Sequence, residues 1–103
     1  MELLHYRFTG GQPVAQGRAC LVGVLGSGNL EVLIEPSQLD GGCTVEINTA
    51  VLGYGAIWEA VISDFFARHA LADVRISIND NGATPAIVGL RLDQAVAAFV
   101  APG

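Results

Sequence analysis

"ACLVGVLGSGNLEVLIE", residues 19–35, decides the fold. Residues 19–25 form an apolar, partly β-branched run, and "LEVLIE" follows at 30–35. In the second run Leu30, Val32 and Ile34 alternate with Glu31, Leu33 and Glu35, the period of a strand with one buried face. The link between the runs is Gly26-Ser27-Gly28-Asn29. Glycine and asparagine tolerate the positive φ that tight links need, so the stretch predicts a β-hairpin with Ser27 at its tip. Is Ser27 only the polar end of a turn, or does it carry something?

Working outward, "PSQLDGG" (36–42) breaks the chain, and "CTVEINT" (43–49) alternates again. Cys43, Val45 and Ile47 are expected inward, Thr44, Glu46 and Asn48 outward. Residues 55–70, "GAIWEAVISDFFARHA", place Ile57, Trp58, Val61, Ile62, Phe65 and Phe66 at helical spacing. Arg68 and His69 near its end suit the negative pole of the helix dipole. "VRISI" (74–78) alternates with Val74, Ile76 and Ile78 inward, and "NDNG" (79–82) is a turn signal. On the N-terminal side, "LLHYRF" (3–8) reads as a strand with Leu4, Tyr6 and Phe8 on one face, followed by the loop "TGGQPVAQG".

The segment "ATPAIVGLRLDQAVAAFV" (83–100) admits two readings. Thr84-Pro85 could open a helix as N-cap and first helical residue. Alternatively, 86–92 pairs back on "VRISI" as a strand, with a short helix from about Asp93. The strand-then-helix reading is preferred, because the turn is strong and Gly89 is a poor helix residue. The sum is an α+β fold in a single domain: a mostly antiparallel sheet with one long amphipathic helix and a shorter C-terminal helix packed on it.

The bulk composition bounds the function. The chain has 103 residues, half of them hydrophobic and 15% charged, which suits one globular domain. Net charge is −5, with five arginines and no lysine, so tracking a phosphate backbone is excluded and no nucleic acid partner is expected. An acidic surface suits basic protein partners, or solubility alone. The longest uncharged stretch, near 19–30, is too short and too interrupted to span a bilayer, so no membrane is expected. The N-terminus does not read as a signal peptide, and a cytoplasmic location is expected. Cys20 and Cys43 form no C-x-x-C pair and read as buried free thiols.

Few tools for catalysis are visible. Ser27 as a nucleophile would need a base, and only His5 and His69 are available. The surrounding G-S-G is not G-x-S-x-G, and a strand follows instead of a helix. Asp40, Asp73, Asp80 and Asp93 are scattered, and no metal site or phosphate loop is expected. No catalytic residue is expected. An exposed serine between two glycines suits covalent modification, and it suits a plain turn equally well.

A resemblance shifts that balance. "GVLGSGNLEVLIEP" together with "INDNGATPAIVGLRLDQAV" resembles the acyl carrier (delta) subunit family of bacterial malonate decarboxylase, over essentially the whole chain, 1–103. The citrate lyase acyl carrier subunit is a more distant resemblance with a similar Gly/Ser/Gly turn. The resemblance implies that the residue matching the modified serine, Ser27, flanked by Gly26 and Gly28, holds a covalent arm. That arm is 2′-(5″-phosphoribosyl)-3′-dephospho-coenzyme A in phosphodiester linkage, ending in a thiol that carries acetyl and malonyl thioesters. The implied partners are acyltransferase and decarboxylase subunits, the transferase that attaches the arm and a malonyl-loading enzyme. A thioester carbonyl can delocalise the charge left by decarboxylation better than a carboxylate can, and a tether makes each transfer intramolecular. Asn29 stands where an aspartate is common in related carriers, and it keeps a turn-compatible residue. Four-helix-bundle carriers have D-S-L at a helix start, which this chain lacks. A citrate lyase type carrier, an unmodified adaptor subunit and a Ser27 hydrolase are the competing readings.

Overall fold

A computed structural model describes residues 1–14, 17–23 and 26–101. The elements in chain order are β1 (Glu2–Phe8), β2 (Gln12–Pro13), β3 (Cys20–Gly23), β4 (Asn29–Pro36), β5 (Cys43–Thr49), α1 (Gly55–Arg68), β6 (Leu71–Ala72), β7 (Val74–Asn81) and α2 (Pro85–Val100). The hairpin runs are strands, as the alternation predicts; Val24 and Leu25 of the first run lie outside the described residues.

The main sheet has the order β1-β5-β7-β4-β3. Every neighbouring pair in it is antiparallel except β5 and β7, which run parallel and are joined through α1. A parallel pair needs a crossover, and α1 supplies it. A short parallel pair, β2 with β6, forms a second sheet; β2 falls in the stretch the sequence reads as a loop.

The registers stack the inward residues in rows. Tyr6, Val45, Ile76, Ile34 and Cys20 lie side by side across all five strands, and Leu4, Ile47, Ile78, Val32 and Val22 form the next row. Against this face pack Trp58, Ile62 and Phe65 of α1 and Val88, Leu92, Ala95, Val96 and Phe99 of α2. Burying such side chains supplies about 1.5–3 kcal/mol each. The helical stripe of α1 is narrower than expected: Val61 and Phe66 are partly buried, and Ile57 is 47% exposed.

The C-terminal segment corrects the preferred reading. Residues 86–92 are not a strand; α2 is continuous over 16 residues and is longer than the 14-residue α1. Thr84 accepts the Ile87 N–H through its side chain and Pro85 takes the first turn, so the alternative cap reading holds. The reason is topological. β7 already has β4 on one edge and β5 on the other, so no edge is left for a returning strand. As a strand, 86–92 would put Val88, Leu90 and Leu92 on one face; in the helix Val88 and Leu92 are buried and Leu90 is 47% exposed.

Arg68 and His69 do more than face a helix pole. Both reach Asp93 on α2 and so tie the two helices together. Burial works against the Asp93 carboxylate, yet the Arg68 and His69 hydrogen bonds hold its pKa below the ordinary value.

At the sheet end where β7 begins, Asp73 takes φ 58°, a conformation Asp tolerates better than most residues. Its Oδ1 accepts the N–H groups of Gly41 (2.9 Å) and Leu39 (3.1 Å) and pins the loop before β5. These bonds, Gly41's first, hold the Asp73 pKa below its ordinary 3.8. A depressed carboxylate stabilises the fold above its unfolded pKa, and that contribution is lost as pH falls through the folded one. Asp73→Asn keeps an acceptor without the charge. The gap in urea midpoint between the parent and this variant is expected to be constant from pH 7 to 5. It should then close as the pH falls through about 4 and below. A gap unchanged down to pH 2 would contradict the assignment.

Candidate functional site

Ser27 sits at the opposite end of the sheet, between β3 and β4. The Asn29 N–H donates to Gly26 O at 3.0 Å and closes a four-residue turn with Ser27 and Gly28 at its centre. Gly28 has φ 72°, the sign a type II turn requires at its third position. A second bond fixes where the turn points: the Gly28 N–H donates to Asn81 O at 2.7 Å, at the end of β7. The two motifs that carry the resemblance, G-S-G-N and N-G-A-T-P, therefore meet in space.

Ser27 is exposed. No hydrogen bond is found from its hydroxyl to the described residues. A Cβ built at Gly26 or Gly28 meets nothing within 4 Å among the described residues, so neither flanking glycine is held in place by crowding there. At Gly28 the φ explains the residue.

The turn stands on a firm base. Asp80, 5% exposed, lies in the inward-facing row Glu2, Thr49, Asp80, Leu30. It accepts the Thr49 hydroxyl at 2.9 Å, the Ala83 N–H at 3.0 Å and the Gly82 N–H at 3.2 Å. Sequence reasoning missed it as one of several scattered acids. The signal was present: extending the period-2 pattern of β5 and β7 by one step turns Thr49 and Asp80 inward together.

Neither histidine reaches Ser27. His5 is on β1, three strands from β4, which at the usual spacing is about 14 Å. His69 lies at the C-terminal end of α1, bonded to Asp93. A Ser/His pair is therefore not assembled. Among the described residues no group of three His, Cys, Asp or Glu is placed to hold a metal.

The chain's own thiols are poor carriers. Cys43 is 1% exposed, and burial pushes its pKa up to about 11. Burial also raises Cys20, whose Sγ lies 3.2 Å from Ala95 O. The thiolate is the reactive form, so burial holds both thiols toward the less reactive protonated form. Among the described residues no helix is long and apolar enough to cross a membrane.

One cation approaches the hairpin. Arg91 of α2 packs on β3 at Gly23, where a Cβ would come within 3.3 Å of its Cδ. Its Nε is buried with no partner among the described residues, and its NH1 donates to Gln94.

An exposed hydroxyl on a turn held by two backbone hydrogen bonds is a geometry that suits a carrier subunit. Residues 17–99 match the family "Malonate decarboxylase delta subunit (MdcD)". The chain is 64% identical over 102 residues to the malonate decarboxylase acyl carrier protein of Stenotrophomonas maltophilia (strain K279a), covering 98% of this chain and 96% of that one. It is 56% identical over 97 residues to that of Burkholderia cepacia, covering 94% and 89%. A chain in the crystal structure of a Pseudomonas malonate decarboxylase hetero-tetramer in complex with malonate superposes with a TM-score of 0.82 at 40% identity, covering 92% of this chain and 95% of that one. The protein belongs to the malonate decarboxylase delta subunit family, and it is a carrier subunit, not a catalytic one.

Proposed function

We propose that the chain acts as one carrier domain of a malonate decarboxylase, with Ser27 holding a 2′-(5″-phosphoribosyl)-3′-dephospho-coenzyme A arm. The observation that carries the reading is the exposed Ser27, flanked by glycines at which a Cβ would meet no described residue, on a turn fixed by two backbone hydrogen bonds. The residues present fit such a group. Attachment forms a bond from Ser27 Oγ to phosphorus while the bond to the leaving group of an activated phosphoryl donor breaks. The serine proton passes to a base of the attaching enzyme, since neither His5 nor His69 lies beside it. Arg91, buried at Nε and not paired with an acid among the described residues, would hold phosphate oxygens of the arm.

When bound, the arm supplies a terminal thiol for acetyl and malonyl thioesters. The protein's part is to bind, present and release. The Asn81 carbonyl fixes the direction in which the arm leaves. The buried Cys43 thiol, raised by burial, is a poor acceptor for the cargo. Acyltransferase and decarboxylase subunits are the partners of this reading, with a separate transferase installing the arm. We place the protein in the cytoplasm, where unpaired thiols such as these two persist.

The test is the intact mass of the chain purified from a host that expresses the whole complex. An added mass equal to the arm, localised to the peptide containing Ser27, supports the proposal. An unmodified chain within an active complex overturns it.

A further inference from the structure

Directly after the hairpin's anchor point at Asn81, the molecule has a recess that the carrier role does not yet use. It lies between the starts of α1 and α2, has a volume of about 260 Å³, and is lined by Val51, Tyr54, Ile57, Trp58, Ala83 and Val88 among others. Volume and lining suit a small apolar group; drug-sized ligand pockets start at about 300 Å³. No lining residue is charged.

The position of the recess matters most. Gly82 and Ala83 form one wall. Gly82 directly follows Asn81, whose carbonyl holds the Gly28 N–H beside Ser27. The recess and the serine are thus joined by one hydrogen bond and one peptide unit. Its rim residues Val51, Tyr54 and Ile57 remain 36%, 48% and 47% exposed, so the mouth opens to solvent.

We propose that this recess seats the acetyl thioester end of the arm and excludes the malonyl end; the inference rests on the attachment of the arm at Ser27. An acetyl group brings only a methyl and a carbonyl, and the apolar lining gains by covering the methyl. A malonyl group brings a carboxylate. The lining offers it no cation, and an unpaired carboxylate is expensive to take out of water. The same recess therefore separates the two cargo states: the acetyl end rests against the carrier, and the malonyl end stays outside for the partner that decarboxylates it. A partner segment is the rival occupant. The small volume and the continuity with the serine's own turn favour the arm.

The experiment uses the arm-bearing full chain with labelled Val, Ile and Ala methyl groups, acetylated or malonylated on the arm, with the Ser27→Ala chain as the bare reference. Intact mass first establishes the arm. The acetyl form is expected to shift the methyl signals of Val51, Ile57, Ala83 and Val88, while the malonyl form matches the bare chain. With the acetyl end seated three-quarters of the time, hydroxylamine cleavage of the acetyl thioester is slowed roughly fourfold, in proportion to the exposed fraction. Ala83→Leu fills the mouth, and Ile57→Trp crowds the rim from the surface of α1; either should abolish both effects. An arm-bearing chain whose methyl signals stay put, or move equally for both cargoes, overturns the inference while leaving the carrier function intact. Signals that move only when partner subunits are added assign the recess to subunit docking and also overturn it. A chain with no arm overturns both readings.

Discussion

Ser27→Ala is expected to leave the fold intact, to enter the assembled complex and to support no malonate turnover at all. The structural half follows from exposure. Ser27 is on the surface, and no hydrogen bond from its hydroxyl to the described residues is lost. Surface changes away from packing and caps usually stay within about 0.5 kcal/mol, so the urea midpoint should barely move. The functional half follows from what the rest of the molecule lacks. Without Oγ there is no atom on the turn to bond to phosphorus. The buried thiol of Cys43, raised to about 11, cannot substitute as a carrier at neutral pH. The intact mass should be that of the bare chain, and turnover should equal the blank. Ser27→Thr retains a hydroxyl and is expected to be labelled in part. A tether acts as a local concentration of about millimolar for a flexible link. Free coenzyme thioester supplied at that level to the Ser27→Ala complex should therefore restore part of the chemistry, if the arm's role is transport. Full activity of the Ser27→Ala complex with no added thioester would remove Ser27 from the mechanism.

Much of this arrangement was legible before any coordinates. Period-2 alternation told which residues of "LEVLIE", "CTVEINT" and "VRISI" turn inward, and the buried rows across the sheet bear this out, while Thr44, expected outward, is buried as well. The Gly/Ser/Asn link told where the hairpin turns. Alternation does not tell which strand lies beside which, because every inward face looks alike. The parallel pairing of β5 with β7 was therefore out of reach, and with it the fact that β7 has no free edge. Lacking that fact, the strong "NDNG" turn argued for a returning strand where α2 stands. The helical set Val88, Leu92, Ala95, Val96 and Phe99 was readable, yet Val88, Leu90 and Leu92 also fit a strand, and only tertiary context separates the two. The serine at the tip was found by its neighbours in sequence. What holds it in place, the Asn81 carbonyl and the Asp80 carboxylate, comes from a segment some fifty residues further on, and is visible only once the sheet is assembled.

That support gives the second large effect. Asp80→Ala is expected to destabilise the fold by about 2–4 kcal/mol, since a buried donor left without its acceptor costs about 1–3 kcal/mol. Three donors lose their partner: the Thr49 hydroxyl and the backbone N–H groups of Gly82 and Ala83. Thr49 is fully buried, and its remaining acceptor, Val51 O at 3.5 Å, is a weak one. Gly82 is exposed and can turn to water, which keeps the total below the sum of three full penalties. For a chain of this size a loss of 3 kcal/mol corresponds to a fall in melting temperature of about 12–24 °C. Asp80→Asn should cost less. Its Oδ1 can keep the Ala83 N–H, and its amide can donate to the Thr49 oxygen, but the amide opposes the Gly82 N–H. The decisive measurement is local. Asp80 organises the 80–83 bend, and the neighbouring Asn81 carbonyl holds the Gly28 N–H. Amide hydrogen exchange at Gly28 should therefore accelerate in Asp80→Ala by more than at Ile76, in the middle of β7. Equal acceleration at both positions would mean that Asp80 stabilises the sheet as a whole and does not specifically hold the turn that presents Ser27.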